Sequence, residues 1–176
     1  MTPPTPTLVT RRLVLSSPVM GDAPAFARWL GDFEVARMTA VIPHPYTLAD
    51  AEAYIRGDPS RRVHNWTIRL DGEPIGVIGL VEKPPKLVFG YWLARPFWGR
   101  GLATEAGRAV LDHAFAALPF PEISACVFKD NPASLKVLEK LGFSDNFDCT
   151  GGSLARGEGQ WPTWNVSLRR PTPPTP

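Results

Sequence analysis

The sequence predicts a mixed α/β domain: a sheet of about seven strands, mostly antiparallel, flanked by helices. Three observations predict it. From Asn65 to Leu93 the runs NWTIRL, PIGVIGLVE and KLVFGYWL are rich in β-branched and aromatic residues. Asp71-Gly72 and Pro84-Pro85 separate them, so they read as three sequential antiparallel strands. Next, Leu102, Ala106, Val110 and Ala114 recur at four-residue steps, with Arg108 and Asp112 left for solvent, which makes Gly101 to Ala117 a helix. Third, the rest of the chain supplies strand patterns and helix patterns on both sides of these elements.

The folded body is expected from Thr7 to Arg170, because Pro3 to Pro6 and Pro171 to Pro176 lie in Pro/Thr tracts with fixed φ angles and missing amide donors. One domain over residues 1–170 and a tail over 171–176 follow, since 176 residues can enclose one core without dividing. Leu8, Val9, Leu13, Val14 and Leu15 suggest a first strand. Asp22 followed by Pro24 reads as a helix start for DAPAFARWLGDFEVARM. Thr47, with Asp50 three positions on, caps a second helical region through Arg56. Beyond the long helix, EISACVF makes a strand and Asn131 to Leu141 a helix that ends at Gly142. Phe143 to Cys149 and Trp161 to Leu168 finish as strands around a Gly-rich loop, GGSLARGEGQ.

Composition narrows the function classes. Nineteen basic and 17 acidic residues leave a formal charge of +2, too even and too dispersed to argue for a nucleic-acid partner. Two cysteines, Cys126 and Cys149, have neither metal-ligand spacing nor scaffold density, which fits buried thiols in a reducing cytoplasm. No stretch approaches the roughly 20 apolar residues of a membrane span, and the N-terminus lacks a signal-peptide core. The histidines show no metal spacing, so no metal is expected.

Chemistry concentrates in two motifs. In GYWLARPFWGRGLATEA, Gly90 to Ala106, a strand passes through a Gly-bearing loop directly into a helix N-terminus. Gly99 and Gly101 leave room for an anion, converging amides and the helix dipole attract one, and Arg95 and Arg100 add positive charge. The same glycines also suit a tight turn needed only for its geometry. In DNPASLKVLEKLGF, Asp130 to Phe143, Asn131 and Ser134 stand three apart and so share one face of a helix start. There an amide and a hydroxyl meet one ligand, and Asn131 also fits an N-cap followed by Pro132.

With these motifs the chain resembles the GNAT superfamily of N-acetyltransferases, closest to its ribosomal-protein alanine N-acetyltransferase branch. TRRLVL, TLADAEAYI, WTI, GVIGL, GYWL, WGRGLATEA and NPASLKVLEKLGF carry the resemblance across nearly the whole body. The family's pyrophosphate loop, written Q/R-x-x-G-x-G/A, corresponds to Trp98 through Ala103, with Gly101 and Ala103 matching and Trp98 in the first place. The resemblance implies acetyl-CoA as cosubstrate, lying in a cleft where the GYWL and EISACVF strands run parallel and splay apart. It implies that backbone near Leu93 bonds the pantetheine arm, and that the amides of Trp98, Gly99, Arg100, Gly101, Leu102, Ala103 and Thr104 hold the diphosphate. Asn131 then contacts the arm and Ser134 sits near sulfur.

For the chemistry, a backbone amide at Trp92 or Leu93 would receive the growing oxyanion. Many relatives use a Tyr in the last helix for the departing thiolate. Leu138 occupies that place, which leaves Ser134 as the hydroxyl. The general base is harder, because Val88 replaces a carboxylate often found two residues before GYW; Glu82 and His44 are the substitutes, while His64 and His113 read as structural. Trp161 and Trp164 follow the Gly-rich loop, near where the resemblance implies that family members close the acceptor site, though large aromatics more often anchor a core. The expected activity is acetyl transfer to an amine, a protein N-terminus or a small molecule. A noncatalytic acyl-CoA-binding module is the alternative that Val88 keeps open. A monomer or a homodimer is expected, the dimer pairing through the C-terminal strand.

Overall fold

A computed structural model describes residues 5–57 and 63–170; the expected tail at 171–176 and Pro3 and Pro4 fall outside them. The chain opens with β1 (Leu8–Val9) and β2 (Leu13–Ser16), then α1 (Ala23–Leu30), α2 (Phe33–Ala36) and α3 (Leu48–Arg56). Three long strands follow, β3 (Val63–Leu70), β4 (Glu73–Lys83) and β5 (Lys86–Leu93). Then come α4 (Leu102–Ala117), β6 (Glu122–Phe128), α5 (Pro132–Lys140), β7 (Ser144–Ser153) and β8 (Gly157–Arg169).

The strands form one sheet of eight in the order β1-β2-β3-β4-β5-β6-β8-β7, all neighbours antiparallel except β5 and β6. The extra strand arises at the N-terminus, where one strand was expected. Thr10 closes a tight turn there, its hydroxyl accepting from the Leu13 amide at 3.0 Å and its amide donating to the Leu13 carbonyl at 2.9 Å. The chain therefore doubles back into a hairpin.

Helix starts follow their caps. Thr47 accepts from the Asp50 amide at 3.2 Å while Asp50 accepts from the Thr47 amide at 2.8 Å, which satisfies two donors that a helix leaves open. Asp22 begins α1 differently. Its buried carboxylate accepts from the Val19 amide (3.1 Å), Thr67 Oγ1 (2.8 Å) and Arg69 Nη2 (2.8 Å), tying the helix start to β3.

Strand alternation sorts the core onto two faces. On one, Trp66, Ile68, Ile78, Leu80, Phe89 and Leu93 pack with Leu102, Ala106 and Val110 of α4 and Leu138 of α5. On the other, Val77 and Trp92 meet Phe26 and Leu30 of α1 and Ala51 of α3. The rings of Phe26 and Trp92 cross edge to face at 5.5 Å. Trp92 and Tyr91 thus point to opposite sides of one strand.

The parallel pair is short. Only Leu87↔Ile123 and Val88↔Ser124 are in register. Beyond them β5 stays with β4 as far as Gly76↔Leu93, and β6 stays with β8 as far as Phe128↔Thr163. The two strands diverge because each follows its outer neighbour, and a cleft opens between 89–93 and 125–128.

Three expectations need correction. Cys126 and Cys149 are exposed, because both lie on a stretch of sheet face away from the core helices. GGSLARGEGQ is mostly strand: cross-strand bonding extends β7 and β8 to a turn at 154–156. The C-terminal strand has no free edge for a dimer, since β8 is paired with β6 on one side and β7 on the other. Among the described residues, no helix is long and apolar enough to cross a membrane.

Close approach at the end of β4 holds β5 in its path. A Cβ at Gly76 would stand 2.4 Å from the Trp92 carbonyl oxygen and 3.1 Å from Leu93 Cα, and backbone cannot yield as a side chain end does. Gly76→Ala is expected to cost roughly 1–3 kcal/mol of stability through overpacking, read as a lower urea midpoint at unchanged slope.

Candidate active site

The cleft edge of β5 offers backbone groups. Ala94 donates its amide to the Ile75 carbonyl at 2.8 Å, across to β4. Successive residues alternate, so the N–H and C=O of Leu93 turn toward the cleft. Trp98 takes the carbonyl: its indole Nε1 donates to it at 2.6 Å. The Leu93 N–H remains directed into the opening.

After Leu93 the chain makes a single 3-10 turn over Arg95–Phe97. The Trp98 amide donates to the Arg95 carbonyl at 3.1 Å, so this amide, expected among the diphosphate donors, is used within the turn. Gly99 and Gly101 adopt φ of 72° and 73°, the left-handed region that favours glycine. Gly101 is the N-cap of α4 without a side-chain cap, and the first helical bond runs from the Glu105 amide to its carbonyl at 3.0 Å. Among the described residues, the amides of Gly99, Arg100, Gly101, Leu102, Ala103 and Thr104 donate to no backbone or side-chain acceptor. A Cβ at Gly99 would meet nothing within 4 Å, and at Gly101 only Arg12 Nη2 at 3.6 Å. Six donors are therefore left without an acceptor among the described residues at a positive helix end, with room beside Gly99 and Gly101, an arrangement suited to a diphosphate.

Side chains brace this loop from behind. Burial pushes the Glu105 carboxyl up, but hydrogen bonds from Thr10 Oγ1 (2.6 Å) and from the Arg12 guanidinium (2.7 Å) and amide (2.8 Å) outweigh it and hold the group below its ordinary range. Arg12 also donates to the Arg100 carbonyl at 2.9 Å, fastening the N-terminal hairpin to the loop. The expected cations are partly committed: Arg95 pairs with Asp32 at 2.8 Å, and Arg100 lies 5.6 Å from the Phe97 ring centre. Other positive charge was not foreseen. Arg11, Arg108 and Lys140 line an open depression of about 550 Å³ beside Gly101 and Thr104, brought together from three distant stretches of chain.

At α5, Asn131 Oδ1 accepts from the Ser134 amide at 3.2 Å, the N-cap the sequence suggests. The Ser134 hydroxyl accepts from the Tyr91 hydroxyl of β5 at 3.0 Å. Burial raises the Tyr91 phenol above its ordinary range, and the Ser134 bond offsets part of that rise. Tyr91 was passed over in the sequence; its GYW position gave only strand pattern. Leu138 is core, 2% exposed.

The opposite sheet face is more open. A Cβ on Gly90 would touch nothing within 4 Å, and beside it the Asn65 carboxamide lies over Gly79, 2.1 Å from where a Cβ would stand. The row Asn65, Gly79, Gly90 is thus a trough with one amide along it. The wall beyond comes from two remote segments. Ser153 Oγ donates to the Thr39 carbonyl (2.8 Å), the Leu154 amide to the Ala40 carbonyl (3.0 Å) and Arg156 Nε to the Arg37 carbonyl (2.7 Å). Arg156 also grips Asp130 at 2.9 and 3.0 Å. That grip, aided by Arg37, holds the Asp130 carboxyl below its ordinary range. Trp161 and Trp164 are half-buried, with the Arg156 guanidinium 5.7 Å from the first ring and Lys129 Nζ 3.8 Å from the second.

The two base candidates separate. Glu82 pairs with His64 at 3.2 Å and stands opposite Leu87, at the closed end of the sheet. Leu93 is six residues further along β5, about 20 Å at strand rise, so the structure does not bring Glu82 to the cleft mouth. His44 is exposed, its ring 5.1 Å from Phe33. Phe33 follows Asp32, the partner of Arg95, so His44 connects through that corner to the 3-10 turn after β5. His113 packs edge-on to Trp66 at 5.8 Å.

Trp98→Phe keeps a ring but removes the donor to Leu93. Losing a hydrogen bond worth about 1 kcal/mol of loop order should weaken coenzyme A binding roughly fivefold, by calorimetry, with little change in Tm.

Comparison with known proteins agrees with this geometry. The family model described as "Acetyltransferase (GNAT) domain" matches residues 12–144. The chain is 40% identical over 75 residues to the uncharacterized protein YkkB of Bacillus subtilis, a match spanning 44% of that protein. It is 32% identical over 148 residues to the uncharacterized N-acetyltransferase YoaA of Bacillus subtilis, covering 78% of this chain and 82% of YoaA. Among solved structures, Mycobacterium smegmatis RimJ in complex with CoA-disulfide superposes with a TM-score of 0.81 at 22% identity, covering 94% of this chain and 88% of that one. With a mixed sheet split at one parallel pair, and a family model that spans most of the body, the chain belongs to the GNAT acetyltransferases.

Proposed function

We propose that this acetyltransferase moves the acetyl group of acetyl-CoA directly to a primary amine, on a protein N-terminus or a small molecule. The observation that carries the proposal is the run of amides from Gly99 to Thr104, without acceptors among the described residues and with open space beside Gly99. Arg11, Arg108 and Lys140 stand beside Gly101 and Thr104 in a depression that Glu105 and Asp112 also line, and leave it one positive charge in excess. Asn131, its Oδ1 held by the cap, keeps its amide N–H groups for the pantetheine arm.

Acetyl-CoA supplies an activated thioester; the chain positions it and handles charge. The Leu93 N–H, aimed into the cleft, stabilises negative charge growing on the carbonyl oxygen, and a fixed donor does so without reorganising. Ser134 offers its O–H to the sulfur as the C–S bond breaks. The amine enters over Gly90, where nothing obstructs the sheet face. His44 is the candidate on that side to take the amine's proton, directly or through water.

Gly101→Asp places a side chain at a left-handed position and a negative charge against the diphosphate; coenzyme A affinity should fall at least tenfold in calorimetry. Ser134→Ala should lower turnover by roughly 10²-fold with cofactor affinity little changed, the mark of a group acting in the transition state. Both are read with acetyl-CoA and a panel of amines and peptides while free thiol is followed. Tight coenzyme A binding with no acceptor-dependent thiol release would instead make the chain an acyl-CoA-binding module.

A further inference from the structure

The Tyr91–Ser134 hydrogen bond joins β5 to α5 across the splay, and it has a use beyond packing. Tyr91 sits on the stretch of β5 that has parted from β6, between Val88, the last residue in register with β6, and Leu93, while it remains paired with Ile78 of β4. Its ring lies on the α4/α5 face, 6.1 Å from Phe89, and its hydroxyl reaches Ser134 Oγ at 3.0 Å. A serine hydroxyl carries one proton and two lone pairs and rotates freely about its Cβ–Oγ bond. Near a helix start such a hydroxyl commonly turns back onto the backbone. Here no such back-bond is made among the described residues: Asn131 caps the Ser134 amide, and the hydroxyl's partner is Tyr91. With Tyr91 filling a lone pair and no acceptor for the serine proton among the described residues, the Ser134 O–H is left to point elsewhere.

We propose that Tyr91 is a positioning residue that fixes the Ser134 hydroxyl so that its O–H is presented to the departing sulfur. This rests on the role given to Ser134 above and extends it to a second residue. The amine nitrogen bonds to the carbonyl carbon, the C–S bond breaks with its electron pair on sulfur, and the amine's surplus proton goes to His44, directly or through water. Sulfur accepts a hydrogen bond from Ser134, Ser134 accepts one from Tyr91, and Tyr91 keeps its proton. Because burial raises the phenol above its ordinary range, Tyr91 stays a donor under the alkaline conditions where amines are unprotonated.

The test compares Tyr91→Phe, Ser134→Ala and the double variant, with Tyr91→Leu as a second way to delete the donor should the Phe variant fold poorly. Turnover and coenzyme A affinity are measured, together with the thiolate absorbance of bound coenzyme A against pH, a difference reading that needs no acceptor. Tyr91→Phe should lower kcat roughly tenfold with KM for acetyl-CoA and affinity for coenzyme A within about twofold. The double variant should be no worse than Ser134→Ala, because Tyr91 acts through Ser134. Bound thiol should ionise at higher pH in each single variant and no higher in the double. An impaired Ser134→Ala beside a fully active Tyr91→Phe, or losses that multiply, overturns the role of Tyr91 alone. A Ser134→Ala protein with unchanged turnover and unchanged thiol ionisation overturns the role of Ser134, and that of Tyr91 with it.

Discussion

The structure depends on a disagreement between neighbours in a sheet. β5 obeys its ladder to β4 and β6 obeys its ladder to β8, and these ladders point apart after two shared rungs. Backbone groups freed in mid-sheet would normally be a liability, since a buried unpaired amide costs about 1–3 kcal/mol. Here they border the proposed site: the Leu93 amide, the Tyr91 side chain and the loop that begins at Ala94 all lie on the margin of the gap.

Around that gap the fold divides labour between its two faces. The α4/α5 face holds the glycine loop, Asn131 and Ser134, while the α1/α3 face carries the trough over Gly79 and Gly90. Alternation along β5 sends Tyr91 to one face and Gly90 and Trp92 to the other. In the proposed reaction a single strand thereby meets both substrates with adjacent residues. Glu105 shows how firmly the loop is held, since its carboxylate draws donors from Thr10 and Arg12 at the far N-terminus.

Much of this was legible in the sequence because it is local. The strand runs of 65–93, the four-residue steps of α4, the Thr47 and Asn131 caps and the glycines at 99 and 101 are patterns of near neighbours, and short-range physics decides them. What could not be read depended on register and on long-range contact. Nothing near Thr10 announces its hydroxyl bond to Glu105, and nothing near Tyr91 announces Ser134, 43 residues away. The cysteines misled because burial of a strand residue depends on which helix covers its face. Glu82 was a reasonable base by residue type, yet register set it opposite Leu87, at the end of the sheet where the strands still touch.

The β7–β8 turn constrains how the molecule can change over time. Arg156 holds Asp130 at the entrance to α5 and the Arg37 carbonyl in the segment after α2, and Ser153 and Leu154 reach Thr39 and Ala40. One guanidinium thus welds three stretches that are far apart in the chain into a common rim. If the acceptor enters past this rim, as the proposed reaction has it, widening the entrance means re-cutting hairpin, helix approach and α5 start together. Shifts in acceptor preference along this lineage should accordingly come as linked sets of substitutions rather than singly.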